Sequence, residues 1–446
     1  MDIFATYYRT KFWITDFFKG SPIGKHYREI KRLSSKDAKQ TEKYRKRILK
    51  EFLDYTTANS PFYSTFRGKD ISDFPVVNKS VLLANYDKIK IPVDVIPNHV
   101  GALHIQSTSG STGTPFAIPQ DTEKRNRRVA ELKFFGKIVG FKSHDMLVHL
   151  RTWNRWQQKT PSQIRRERII PFDIASMDDE NIQSLVDTIN ANKAKCLRGY
   201  ASSFDLVANY VKKHKLKLPS VEIIIAGSEM LHDDIRMNVK NNLNCEIISQ
   251  YADEECGVLA QESIPTSDSD NPMYLNNASY IFELLKLDED VPAAYGELGR
   301  IVITDLYNHA FPIIRYDTGD TGIMLPPNEK SHGFPILGKL YGRRFDMCTT
   351  TTGSFFSPMT IGRILKHYGE IKQWQFIQNS EKGYTLRLIL NEEVKMEEYL
   401  NYAVRELKNV LGQDASIKLE KVDGIPTLAS GKRKPVVNEW LRHSVK

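Results

Sequence analysis

Between Met146 and Ser249 short apolar runs alternate with helical windows, and this alternation constrains the fold more than any other feature of the sequence. Met146 to Leu150, Ala194 to Leu197, Val221 to Ala226 and Glu246 to Ser249 are strand-length apolar runs. They are separated by helix-length windows such as Asp205 to Lys213 and Asp233 to Asn241. Strand-helix alternation of this kind requires parallel strands joined by crossover helices, hence an α/β domain. Ligands of such sheets bind beyond the C-terminal ends of the strands. With 446 residues the chain exceeds one ordinary core, so more than one domain is expected.

Upstream of that region lies Ser107-Thr108-Ser109-Gly110-Ser111-Thr112-Gly113-Thr114-Pro115. Small hydroxyls and two glycines exclude a stable helix or strand there. Glycine allows close backbone approach to a ligand, while N–H groups and hydroxyls supply the donors a polyphosphate requires. The run reads as an ATP-cradling loop, with a Ser/Gly linker as the alternative. The common P-loop is excluded because the run contains no lysine. Its flanks, Leu103, Ile105, Phe116 and Ile118, read as buried strands on both sides.

The composition, 41% hydrophobic and 26% charged, is that of a soluble globular enzyme. No apolar run is long enough to span a bilayer. The four cysteines, Cys196, Cys245, Cys256 and Cys348, form no CxxC pair, which argues against zinc knuckles and a disulfide framework and fits a reducing cytoplasm. A formal charge of +9 suits anionic ligands such as nucleotides, CoA or nucleotide sugars. Nucleic acid is not expected, because the basic residues between Lys25 and Lys50 are interleaved with Glu29, Asp37 and Glu42 and no nucleic-acid motif occurs. Residues 1–20 carry Phe4, Tyr7, Tyr8, Phe12, Trp13, Phe17 and Phe18 at helical spacing, interrupted by Arg9, Lys11, Asp16 and Lys19. This is not a signal peptide. It reads as a helix on the main body, with peripheral membrane association as the alternative.

The loop from Thr108 to Pro115 resembles the phosphate-loop signature of the adenylate-forming superfamily, and most closely that of its phenylacetate-CoA ligase and CapK-like branch. Further motifs extend the resemblance over most of the chain. Ala226-Gly227-Ser228-Glu229 resembles the superfamily loop that packs on adenine, so Gly227, Ser228 and Glu229 are candidates there. Gln250-Tyr251-Ala252-Asp253-Glu254-Glu255 is similar to Tyr-Gly-x-Thr/Ser-Glu, which implies Tyr251 beside adenine and Glu255 as the Mg²⁺ carboxylate. Ala252 and Glu254 depart from that pattern. Arg315-Tyr316-Asp317-Thr318-Gly319-Asp320 resembles the ribose-binding motif, and Asp320 is its ribose carboxylate. Leu340 to Asp346 resembles the hinge, with Arg343 matching and Phe345 departing. Pro426 to Lys432 resembles the C-terminal loop whose lysine, here Lys432, reaches the active site. Arg151, Trp153, Arg155, Arg198 and Tyr200 follow candidate strands and read as substrate-binding, since arginines and aromatic faces suit a polar or anionic partner.

The resemblance implies an α/β fold: a large multi-layer domain, helical over 1–100 and α/β over 101–342, followed by a small mobile α+β lid over 343–446. It implies an ATP- and Mg²⁺-dependent ligase that converts a carboxylate to acyl-AMP with release of pyrophosphate. The acyl group then passes to an amine, hydroxyl or thiol of an amino acid, a nucleotide sugar or CoA, and the CapK likeness points to surface polysaccharide biosynthesis. A nucleotide-binding module without catalysis is the alternative of another class.

Overall fold

A computed structural model of the chain describes residues 2–107, 116–151, 153, 159–174, 177–264, 271–343, 348–353, 355–356, 361, 364–365, 371–390, 396–425 and 435–440. Helices α1 (Ile3–Phe18), α2 (Pro22–Ser34) and α3 (Ala38–Asn59) come first, followed by the short α4 (Lys79–Ala84) and α5 (Tyr86–Ile89). Phe52 and Leu53 of α3 are buried. Strands β1 (His104–Ser107) and β2 (Ala117–Gln120) form an antiparallel ribbon, and α6 (Thr122–Ile138) follows directly.

The predicted alternation is then realised as β3 (Leu147–Arg151), α7 (Pro161–Glu167), β4 (Ile169–Asp173), α8 (Asp179–Ala191), β5 (Cys196–Gly199), α9 (Ala201–Lys213), β6 (Ile223–Gly227), α10 (Asp233–Leu243) and β7 (Glu246–Ala252). The chain continues through β8 (Val258–Glu262), β9 (Met273–Leu275), β10 (Tyr280–Leu285), β11 (Leu298–Asp305), β12 (Tyr316–Leu325) and β13 (Ile336–Arg343). Among the described residues these build a sheet of order β10-β11-β12-β13-β9-β8-β7-β6-β5-β3-β4. The segment β4-β3-β5-β6-β7 is parallel, and β8 and β9 are antiparallel to their neighbours. Val148, Leu150, Leu197, Ile224 and Ile247 pack on one face with residues of α8, α9 and α10. Leu147, Cys196, Ile223, Ile225 and Ile248 pack on the other with Val139. Burial on both faces is why these strands read as continuous apolar runs.

The chain moves from β3 outward to β4, then returns past β3 to β5, so the strand order reverses between β3 and β5. That reversal is the topological switch point where ligands of open α/β sheets bind. A Cβ at Gly199 would lie 2.7 Å from the Leu150 carbonyl oxygen and 2.8 Å from its Cβ. Only glycine lets the two strands approach so closely at the switch point.

By internal packing the chain divides into Met1–Thr318 with Gly322–Leu340, and Gly319–Thr321 with Tyr341–Lys446. The second unit contains the short pair β14 (Cys348–Thr349) and β15 (Phe355–Phe356), then β16 (Ile371–Gln378), β17 (Gly383–Leu390), α11 (Met396–Leu411), β18 (Ser416–Lys421) and β19 (Val436–Asn438). Its sheet has the order β18-β17-β16-β19. Ala403, Leu407 and Leu411 of α11 share a core with Phe376, Tyr384, Leu386 and Leu388. The fold class is the expected α/β architecture with a second, smaller α+β unit.

One expectation about the loop's flanks is corrected. Phe116 and Ile118 are fully buried, but Ile105 is 53% exposed and β1 lies on the surface. In a two-stranded ribbon only one strand needs to pack on the core, and here that strand is β2.

Near the start of α6, Lys124 and Arg127 are both fully buried. Lys124 Nζ lies 2.5 Å from an Asp305 carboxylate oxygen, off the axis of a good hydrogen bond, and donates to the Tyr280 hydroxyl at 3.2 Å. Removing one member of a buried ion pair leaves an uncompensated charge, so Lys124→Met is expected to destabilise the protein by about 3 to 5 kcal/mol. Lys124→Met/Asp305→Leu should recover part of that loss. Urea denaturation of the variants checks this, and a single-variant effect within experimental error of zero would contradict it.

Candidate active site

The base of the predicted phosphate loop is fixed by the turn that follows β7. Gln106 Nε2, in β1, donates to Glu254 Oε2 at 2.6 Å. From the other strand, Gln120 Nε2 donates to the Glu255 carbonyl oxygen at 3.4 Å. Arg128 NH1 holds the Glu254 carbonyl oxygen at 2.8 Å. Both strands that deliver residues 108–115 are therefore tied to the segment 254–255. Ser107 ends β1 on the exposed side. Thr108, Ser109, Gly110, Ser111, Thr112, Gly113 and Thr114 lie outside the described residues, as do Arg155 and Lys432.

The turn itself is shaped by Asp253. One carboxylate oxygen accepts the backbone N–H groups of Cys256 at 2.6 Å and Gly257 at 3.1 Å, a side-chain-capped turn. Gly257 has φ of +129° and faces Glu131 and Tyr280, so the chain closes tightly there. The second oxygen of Asp253 is buried with no hydrogen-bond partner among the described residues. Burial, followed by the charge of Glu255, pushes the Asp253 carboxyl up to about 8. The Asp253 carboxyl, with its orphaned oxygen, and the neighbouring Glu255 are a donor set that a hard divalent cation fits by displacing the Asp253 proton, since Mg²⁺ takes one or two carboxylates and completes its shell with phosphates and water.

At the switch point the predicted substrate residues converge. Trp153 Nε1 donates to the His149 carbonyl oxygen at 3.2 Å, and the Arg151 guanidinium lies 5.3 Å from the Trp153 ring centre. Arg198 is within β5, and its guanidinium donates to Gln250 Oε1. Gln250 in turn donates to Gln261 Oε1 at 2.5 Å, and Gln261 to the Phe135 carbonyl oxygen at 2.9 Å. Arg198 was expected on a loop after the strand; it is instead the penultimate residue of the strand, braced from β7. Burial holds the His149 imidazole well below its usual range, and the charges of Arg198 and Arg151 act in the same direction. Burial raises the Tyr200 hydroxyl, which also senses Arg151, Glu229 and Glu254.

Gly227 ends β6, and Ser228 follows with φ of +65°, a left-handed turn. Glu229 Oε2 accepts the Ser202 backbone N–H at 3.1 Å, so this carboxylate positions the start of α9. Tyr251 is buried, and its hydroxyl donates to Thr318 Oγ1 at 3.2 Å, which donates to the Ile301 carbonyl oxygen at 3.0 Å. Arg315 and Asp317 of the ribose motif are occupied structurally. Arg315 pairs with Glu283 and donates to the Phe74 carbonyl oxygen, and Asp317 pairs with Arg300 at 2.7 Å. Asp320 lies on β12 just after the left-handed Gly319. Arg343 closes β13, after Gly342, whose carbonyl oxygen accepts Thr321 Oγ1 at 3.1 Å.

The structure thus brings together His149, Arg151, Trp153, Arg198, Tyr200, Glu229 and Glu254 at the C-terminal ends of β3, β5, β6 and β7. Asp320 and Arg343 belong to the second packing unit. His149, Gln250 and Asp253 were not singled out in sequence. His149 alternates with the apolar residues of β3, and its charged neighbours are Arg151 two residues on in the same strand and Arg198 of β5. Among the described residues no cluster of three or more His, Cys, Asp or Glu gathers around a common point.

Comparison with known proteins agrees with this architecture. Residues 348–439 match the CapK C-terminal domain family. The chain is 22% identical to Protein CapK of Staphylococcus aureus over 95% of this chain and 94% of that protein. It is 28% identical to phenylacetate-coenzyme A ligase of Pseudomonas putida over 35% of this chain and 34% of that protein. Among solved structures, 2-hydroxyisobutyryl-CoA ligase in its postadenylation state superposes with a TM-score of 0.73 at 18% identity, covering 92% of each chain. Anthranilate CoA ligase in complex with anthranoyl-AMP gives a TM-score of 0.55 at 16% identity, over 74% of this chain and 65% of that one. The chain has the fold of the adenylate-forming ligases, carries a CapK C-terminal domain, and resembles the CapK-like branch of that superfamily.

Proposed function

We propose that the protein is an ATP-dependent, AMP-forming ligase. A carboxylate oxygen attacks the α-phosphorus of ATP, the bond to the β,γ-pyrophosphate breaks, and acyl-AMP forms; a second nucleophile then takes the acyl group and releases AMP. The observation that carries this reading is the attachment of both β1 and β2 to residues 254–255. It sets the base of the Ser/Thr/Gly loop beside the carboxylates proposed for a cation, as a polyphosphate site requires.

In this reading residues 107–114 hold the β- and γ-phosphates, and Gly227, Ser228, Glu229 and Tyr251 flank the base. Asp320 accepts the two ribose hydroxyls, because a carboxylate offers two acceptor oxygens to a vicinal diol. Arg343, at the proposed hinge that opens the 343–446 domain, is assigned to the nucleotide, and Lys432 meets the carboxylate and the α-phosphate. Glu255, with Asp253 beside it, would hold Mg²⁺, which neutralises phosphate charge as pyrophosphate departs. Such chemistry is mostly positioning and electrostatic stabilisation of the phosphate oxygens.

Arg151, Arg198, the neutral His149, Trp153 and Tyr200 form a cationic and aromatic surface that suits a polar or anionic acid or acceptor better than a bare aliphatic one. We assign the acceptor to an amino acid or a nucleotide sugar in surface polysaccharide biosynthesis, in line with the CapK likeness. CoA is the second reading, favoured by 2-hydroxyisobutyryl-CoA ligase, which has been solved with its acyl-AMP and CoA.

Two variants test the assignment. Losing a positioned charge that acts on the developing oxyanion costs about 3 to 4 kcal/mol, or roughly 10² to 10³ in rate. Lys432→Ala should slow acyl-AMP formation by that factor, leaving ATP affinity and transfer from supplied acyl-AMP nearly unchanged. Equal loss in both half-reactions, or none in the first, would contradict the role. Arg151→Met should raise KM for the acid or acceptor by roughly 10-fold or more at unchanged KM for ATP, as loss of a charge-assisted hydrogen bond predicts. An unchanged KM for both partners would remove Arg151 from the site.

A further inference from the structure

Helix α1 carries large apolar side chains on its outward face as well as on the face that packs on the body. Two of its polar side chains turn inward: Arg9 donates to the Ser143 carbonyl oxygen at 2.7 Å and to Asp145 at 2.6 Å. Asp16 is buried and accepts the backbone N–H groups of Ile23 at 3.0 Å and Gly24 at 2.8 Å. Ala5 is buried, and Phe12 and Trp13 pack against His144 and Tyr27, yet a second set of apolar side chains turns outward. Ile3, Phe4, Tyr7, Ile14, Phe17 and Phe18 are each more than half exposed. Ile3, Tyr7, Ile14 and Phe18 follow a spacing of four, seven and four residues and so share one face, with Phe4 and Lys11 beside them. A helix selected only to pack on a globular body in water keeps its outward face polar.

Arg9 and Trp13 of the same helix line one wall of a cavity of about 430 Å³, and Arg28, Lys133, Lys137 and Lys142 line much of the rest. Among the described residues no carboxylate pairs with Arg28, Lys133, Lys137 or Lys142. Lys133 has its ammonium 3.8 Å from the centre of the Phe12 ring. The acidic groups nearby are already committed, Asp145 to Arg9 and Asp16 to backbone amides. Burial, with the charge of Arg9 adding to it and that of Asp16 opposing it, lowers Lys133 to about 8.

From these two features we infer that this face docks on an anionic membrane surface, with the outward side chains of α1 at the boundary between headgroups and acyl chains and a lipid phosphate in the basic cavity. Exposed aromatic residues beside unpaired lysines are the composition of an interfacial helix. A second copy of the chain is the poorer occupant, because a two-fold contact through this face would bring two equally basic cavities together. Among the described residues no helix is long and apolar enough to cross a membrane, so the contact is peripheral.

Flotation of the full chain with vesicles tests this. Binding is expected to mixed phosphatidylcholine–phosphatidylglycerol vesicles, to weaken with salt, and to be absent with phosphatidylcholine alone. Phe4→Ser/Phe18→Ser and Lys137→Glu/Lys142→Glu, all at exposed positions, should each lower vesicle affinity at least about tenfold with the far-ultraviolet circular dichroism unchanged. No flotation with anionic vesicles, equal flotation with neutral ones, or a dimer in sedimentation that Phe4→Ser/Phe18→Ser abolishes would overturn the inference.

Discussion

Two cations buried side by side in α6 tie together α2, β11 and the segment 278–280 of the large unit and, through α6, the β1–β2 end of the candidate site. Arg127 donates to Glu29 of α2 at 2.8 Å, to Ser279 Oγ at 2.9 Å and to the Ala278 carbonyl oxygen at 2.5 Å, and lies 3.9 Å from the Tyr307 ring centre. Lys124 reaches Asp305 at the end of β11. Taking two cations out of water is costly, and only this set of fixed acceptors offsets the cost. The site inherits the result. Asp121, the N-cap of α6, also accepts the backbone N–H groups of His309 and Ala310. The strand entering α6 is therefore fixed, and with it one end of the segment that carries residues 108–115.

The same economy governs the switch point. Gly199 lets β3 and β5 approach closely enough that Arg151 and Arg198 lie on neighbouring strand ends, where two positive charges would ordinarily repel. Gln250 braces Arg198 from β7, and Glu254 contributes opposite charge. The His149 imidazole stays neutral in this field. A surface already held cationic without a ligand is preorganised for anionic oxygens, since little reorganisation accompanies their arrival.

The parallel strands were legible in sequence because burial on both faces leaves an unbroken apolar run. β4 was not, since all but its exposed last residue are half-buried and Pro171 lies within it. β1 misled because Ile105 looks like a core residue but sits on the surface strand of a ribbon. Glu255, Asp320 and Lys432 are proposed from the motifs' resemblance alone, with no pattern of local physics that would single them out. What no local reading supplies is partnership across the fold. Gln106 and Glu254, or Arg198 and Gln250, are far apart in the chain, and the orphaned oxygen of Asp253 is visible only once burial is known. The outward face of α1 shows the converse: its helical period was plain, while which side faced water depended on where Arg9 and Asp16 found partners.

The central claim is that the carboxylates of the 253–255 turn and the adjoining loop serve attack at the α-phosphorus. The most direct measurement is acid-dependent exchange of labelled pyrophosphate into ATP, run over a panel of polar, anionic and aliphatic carboxylic acids with divalent cation present. The account predicts exchange that requires both acid and cation, favours polar or anionic acids, and yields AMP as the nucleotide product. Formation of ADP and phosphate, or ATP binding with no acid-dependent exchange across the panel, would contradict it.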